Sequence, residues 1–233
     1  MEIIKIFGEP DVKNIEINRS CSGLFIHVDG EVTAESVSIN FDLGGRKRNH
    51  HSRDESILMI AEYDAQQEGF FENTSSDARI KIPFTKDAGI IVLNDTNKGY
   101  VSLNNLDASR TYTVFAIEGL EVSKSMLSFD SEPMVNKKEH DFSLSGADEI
   151  LLPISAAFRS IELFQGSANV EYVGEELKAM TMERNEVVAI VTGGVLYGCA
   201  NYYMLDVDEV EKGTILTDGT AYTFVIVREQ ILN

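Results

Sequence analysis

The chain contains no tryptophan, only two cysteines and four histidines among 233 residues. No tryptophan means the side chain most often stacked on sugars is missing, leaving Tyr63, Tyr100, Tyr202 and Tyr203 as the aromatic candidates for such a surface. Cys21 and Cys199 form neither a C-x-x-C pair nor a zinc-ligand cluster. Each lies in an apolar, strand-like run, so buried, reduced thiols are expected. His27, His50, His51 and His140 are too scattered for the histidine-rich metal cluster of a cupin-type enzyme. The adjacent pair His50–His51 cannot share one face of a helix or strand, and it is expected in a solvated loop. Basic residues are also scarce: 20 Lys and Arg against 38 Asp and Glu give a formal charge of −18, which excludes a generally basic nucleic-acid binder. No run approaches the roughly 20 apolar residues of a membrane-spanning helix, and Met1–Pro10 lacks the pattern of a secretory signal.

What is present is a soluble-protein composition, with 43% apolar and 25% charged residues. Most of the chain reads as short strands between turn residues. Val37–Leu43 alternates apolar and polar positions as a half-buried strand requires, and it ends at Gly44–Gly45. Further strands are expected at 12–17, 23–28, 79–84, 89–93, 100–104, 111–118, 125–129, 149–154, 158–164, 168–173, 186–192, 195–205 and 221–228. Two helices stand out. One runs from Arg53 to Gln67, where Ser52 and Glu55 suit a capping box and Ile57, Ile60, Ala61 and Asp64 fall on one face. The other runs from Gly174 to Glu183, with Leu177 and Met180 or Thr181 on its inner side.

The two helices and the similar segments Thr111–Glu118 and Ala221–Arg228 point to an internal repeat. The fold expected is mainly β: two tandem β-sandwich, jelly-roll-like units with one short helix each. The polar stretch 131–148, with Pro133 and Gly146, is expected as the linker, so the units are 1–130 and 149–233.

No nucleophile elbow, phosphate loop, dinucleotide fingerprint or zinc-protease motif is found. Asp206, Asp208, Glu209 and Glu211 form a weak calcium candidate that lacks the EF-hand pattern; a solvated turn is the alternative. Arg46, Lys47, Arg48 and Arg53 are the local exception to the negative charge. Such a loop can meet phosphate groups, a lipid surface or the acidic surface of a neighbouring copy.

The strand at 36–43 leading to the first helix, the strand at 169–173 leading to Glu175–Met180, and the two Tyr–Thr strands at 112 and 222 make a tandem of β units with a helix inside each. This pattern resembles the vertical jelly-roll capsid proteins of adenovirus-like viruses and of tailless, membrane-containing icosahedral phages such as corticoviruses. The resemblance is architectural and carries no functional residue over. It implies a bacteriophage-type virion protein, made in the host cytoplasm, that forms homotrimers and tiles a shell. It also implies contact with other capsid proteins and an internal membrane, with no catalysis, no cofactor beyond the calcium candidate and no sequence-specific nucleic-acid binding. The alternative is a β-sandwich binding module for carbohydrate or a host receptor, as in a phage fibre or adhesin.

Overall fold

The computed structural model describes residues 1–51, 55–68, 72–132, 138–153, 158–181 and 202–232, with the side chains of 66–68 left aside. The first half holds β1 (Glu2–Phe7), β2 (Val12–Ile17), β3 (Gly23–Val28), β4 (Ser36–Leu43), β5 (Arg46–Asn49), β6 (Glu55–Ser56), helix α1 (Ile57–Glu68), β7 (Glu72–Asn73), β8 (Ala78–Pro83), β9 (Asn97–Asn104) and β10 (Thr111–Ile117). The second holds β11 (Ser125–Ser131), β12 (Glu139–Ser143), β13 (Glu149–Pro153), β14 (Phe158–Gln165), β15 (Ala168–Val173), β16 (Tyr202–Asp206), β17 (Lys212–Thr217) and β18 (Val225–Ile231), with helical residues 174–181 after β15.

These strands build four antiparallel sheets, ordered β1-β10-β3-β8-β7, β2-β9-β4-β5, β11-β18-β13-β16 and β12-β17-β14-β15, with β6 paired to β4. Setting aside the two-residue strands β6 and β7, each half has eight strands among the described residues. Counted within each half, one sheet runs 1-8-3-6 and the other 2-7-4-5. That is the winding of a jelly roll, in which two four-stranded sheets face each other. It occurs twice, and in both halves the helix falls between the fifth and sixth strands of the count, between β5 and β8 and between β15 and β16. The fold is therefore mainly β with two β-sandwich units, as the alternation of the sequence suggests.

In the first sandwich alternate residues point inward. Leu24, Ile26 and Val28 of β3, Ile80 and Ile82 of β8, Val37, Ile39 and Phe41 of β4, and Val101 and Leu103 of β9 are all buried in one core. The sheet β11-β18-β13-β16 is buried on both faces. Leu151, Met204, Val225 and Val227 join the first core, while Ile150, Leu152, Leu205 and Ile226 join the second. Two buried faces account for the unbroken apolar run Ile150–Leu152, where a sheet with one wet face would show alternation.

Helix α1 lies in the joint between the sandwiches, against β8 and β16. Its burial runs almost all round: Ile57, Met59, Ile60, Ala61, Glu62, Tyr63, Asp64 and Ala65 are all buried, where the sequence suggested a single apolar face. Its start also differs from the capping box expected at Ser52, a residue outside those described. Ser56 Oγ accepts from the Met59 amide at 3.4 Å, and Glu55 sits in β6 opposite Val37. In the second helix Leu177 and Thr181 are buried, whereas Met180 is 42% exposed.

Several strand boundaries move. Residues 89–93 form only isolated bridges, Cys21 with Ile91 and Ile90 with Val122. The last strand covers Val225–Ile231, with Tyr222 ahead of it, and β1, β5, β12 and β17 are additional. The expected strand 186–192 and the first part of 195–205 lie outside the described residues. Strand β11 pairs along its length with β18, and β12, inside the stretch 131–148, pairs with β17.

Candidate functional site

The basic residues occupy a strand, not the loop expected from the sequence. Gly44 and Gly45, at φ 61° and 77°, make the two-residue turn that folds β5 back on β4. Two successive positive φ angles match the turn whose twist suits a hairpin, and glycine adopts them without steric cost. The register sets Leu43 opposite Arg46, Asp42 opposite Lys47 and Phe41 opposite Arg48. Arg46 and Arg48 thus share a face with Leu43 and Phe41, and Lys47 shares the other with Asp42. Among the described residues, β5 is the outermost strand of its sheet, and Arg46, Lys47 and Arg48 take part in no ion pair. Charged residues on an outer strand discourage indiscriminate strand addition. Arg53 lies outside the described residues.

The same position in the second sandwich belongs to β15, which the sequence did not single out as functional. Among the described residues it is outermost, next to β14, and every residue from Ala168 to Val173 is exposed except the half-buried Tyr172. Val170 is 50% exposed and Val173 43%. Glu171 lies on this strand and Glu175 and Glu176 follow it, all exposed, with Lys178 the one basic residue of 168–181. Glu176 accepts a hydrogen bond from the Val173 amide at 3.0 Å, which ties the acidic start of the second helix to the strand. The opposite charge of two equivalent edge strands emerges only once the winding is known.

The calcium candidates occupy the turn after β16. Asp206 Oδ1 accepts from the Asp208 amide at 3.0 Å, and Glu209, at φ 65°, accepts from Gln165 Nε2 at 3.0 Å. The Glu211 amide donates to the Phe164 carbonyl at 3.0 Å. Among the described residues, no three His, Cys, Asp or Glu side chains are grouped to hold a metal ion.

The histidine pair lies far from where the sequence put it. His50 is 0% exposed and His51 1%, where a solvated loop was expected. Strand β5 delivers them into the joint between the sandwiches. There the Phe129 amide of β11 donates to the His50 carbonyl at 2.7 Å, and both histidine amides donate to Ile39. His50 Nε2–H donates to the Pro83 carbonyl at 2.7 Å, so its Nδ1 is left to accept from the His51 ring, 3.1 Å away. Phe84 and Phe129 pack on His50, and His51 stacks on Phe129 with centroids 5.3 Å apart. Burial holds the pKa of His50 down at about 4, and that of His51 well below 6.5. Both rings are therefore neutral at pH 7.

Beside the pair, a cleft of about 330 Å³ is lined by Tyr63, Asp64, Pro83, Thr85, Lys86 and Glu149. Lys81 pairs with Asp64 at 3.4 Å, and Lys86 with Asp148 at 3.0 Å. Tyr202 is raised above its ordinary pKa by burial and by the carboxylates of Glu62 and Glu55. Tyr63 and Tyr203, two of the four tyrosines considered for sugar stacking, are 2% and 7% exposed and belong to the cores. Cys21 is a buried free thiol pushed up to about 11 by desolvation; Cys199 lies outside the described residues.

No protein-family model matches the chain, and no curated protein does. Among solved structures there is a distant likeness to the major capsid protein of mavirus, 7% identical, over 99% of this chain and 86% of that one at a TM-score of 0.34. Another runs to the PBSX exported protein XepA, 7% identical, over 97% and 85% of the two chains at a TM-score of 0.24. At such scores the architecture rests on the strand order, not on these neighbours. No helix among the described residues is long and apolar enough to cross a membrane.

Proposed function

We propose that the chain is a structural virion protein, a capsid subunit that trimerises and tiles an icosahedral shell without catalysis. The observation that carries this reading is the repeated winding: two jelly rolls in tandem, each with its helix inserted at the same place, joined through a sheet buried on both faces. Jelly rolls serve capsids, lectins and cupins alike, so the step from winding to role is an architectural analogy. Within this reading we place the division of the chain at 118–124, between β10 and β11, ahead of the stretch 131–148. The partners are copies of this chain, other capsid proteins and the internal membrane surface of a phage-like virion, and the net charge of −18 keeps free subunits apart before assembly. Arg46, Lys47 and Arg48 are the contact residues the reading favours.

The test is the mass of the purified protein in solution, by light scattering across protein, salt and calcium concentrations. A trimer of the 25.9 kDa chain, or larger closed particles, is expected. A monomer under every condition overturns the reading and turns attention to receptor or glycan binding.

A further inference from the structure

Among the described residues, the outermost strands at equivalent places in the two jelly rolls carry opposite charge. Strand β5 of the first presents Arg46, Lys47 and Arg48, and β15 of the second presents Glu171 with Glu175 and Glu176 just beyond it. We infer that these edges are the two halves of one contact: β5 of one copy lies along β15 of the next, in a head-to-tail association of this chain with itself. The inference rests on the self-assembly reading above and deepens it by naming the faces.

Three features support this pairing. First, each strand has one strand neighbour among the described residues, β4 for β5 and β14 for β15, so each offers a row of backbone donors and acceptors on its outer side. Second, the charges select the partner. Two β5 edges repel each other, as do two β15 edges, and only the mixed pair brings the three basic residues against the three acidic ones. The basic trio is in no ion pair within its own chain among the described residues, so its charge is available to a neighbour. Third, Val170 and Val173 add exposed apolar area on the acidic strand, 50% and 43% open, which a covering strand removes from water. The contact is heterologous, because the two surfaces differ. Repeated, it closes into a ring if the rotation allows and otherwise grows as a chain.

The test uses full-length protein and two charge-reversed variants, Arg46→Glu/Lys47→Glu/Arg48→Glu and Glu171→Lys/Glu175→Lys/Glu176→Lys, with circular dichroism and thermal melting to establish that each folds. By light scattering, each variant alone is expected to associate at least about tenfold more weakly than the parent, since each sets like charges against each other. An equimolar mixture of the two is expected to regain association, because each then finds an opposite edge in the other. Parent association is expected to weaken about tenfold between low and 0.5 M salt. Association of the parent that neither variant alters overturns the edge contact and leaves self-assembly standing. So does failure of the mixture to regain what both folded variants lost. A monomeric parent overturns both.

Discussion

Acid should weaken this protein through two histidines, and the structure gives the size of the effect. His50 and His51 are buried, neutral and sandwiched among Phe84, Phe129, the Pro83 carbonyl and each other. Unfolding returns each ring to water, where its pKa is 6.5, while in the folded chain His50 titrates at about 4. Below pH 6.5 the unfolded chain binds a proton that the folded chain refuses, so stability is fully present above 6.5 and falls as the pH drops towards 4. For His50 alone the loss is about 2 kcal/mol at pH 5 and about 3 kcal/mol at pH 4. His51 is depressed by burial and by the nearness of His50, so its protonation on unfolding adds to the loss in the same direction.

The assay is urea unfolding followed by circular dichroism at pH 7.5, 6.5, 5.5 and 5.0, on the parent and on His50→Gln/His51→Phe. The glutamine keeps a donor for the Pro83 carbonyl, and the phenylalanine keeps a ring against Phe129. Every other titratable group is common to both proteins, so the variant supplies the baseline. The parent should lose at least about 2 kcal/mol more than the variant between pH 7.5 and 5.0, the share of His50 alone, with His51 adding to it. Parallel pH curves would refute the argument. Because the Phe129 amide is held by the His50 carbonyl, its hydrogen exchange should rise early as the parent is acidified, ahead of amides in β3.

Three other perturbations probe separate parts of the fold. Tyr112→Phe removes a hydroxyl that donates to Glu35 Oε1 at 2.7 Å and accepts from the Asp107 amide at 2.9 Å. A cost of about 1–3 kcal/mol is expected in equilibrium unfolding, and no change would show these groups find water instead. Leu151→Ala opens a cavity on the face of β13 that joins the first core, and should cost about 2–5 kcal/mol in the same assay. A value under about 0.5 kcal/mol, the size expected of a surface site, would contradict the two-sided burial of that sheet. In a Cys199→Ser background, the Cys21 thiol, pushed up to about 11, should resist a disulfide reagent at pH 8 until the protein is unfolded.

The fold was legible in the sequence wherever burial was one-sided or two-sided in a regular way. Val37–Leu43 alternates because one face of β4 meets the core, and Ile150–Leu152 is continuous because both faces of β13 are covered. Two polar strands at sheet edges, β5 and β12, were not legible, although the edge strands β2, β11 and β15 were. The residues of β5 are Arg-Lys-Arg-Asn, a composition that reads as loop; the diglycine turn and the register with β4 make it a strand. The residues of β12, Glu-His-Asp-Phe-Ser, place only Phe142 fully inward, so the segment resembles the polar stretch around it. The histidine pair shows the same limit more sharply. It follows three basic residues and an asparagine, and nothing local announces burial. Phe84 and Phe129, far along the chain, cover it, and no periodicity within residues 46–56 encodes a cover supplied by other strands. The acidic edge of β15 is hidden for a related reason. In a chain of charge −18 three glutamates are unremarkable until the winding sets Glu171 on the strand equivalent to the basic one in the other sandwich, with Glu175 and Glu176 just beyond it. A repeat whose two halves share a winding but oppose each other in charge at one strand has the means to distinguish a neighbour's front from its back. That asymmetry is what a head-to-tail contact needs and what a pair of identical edges lacks.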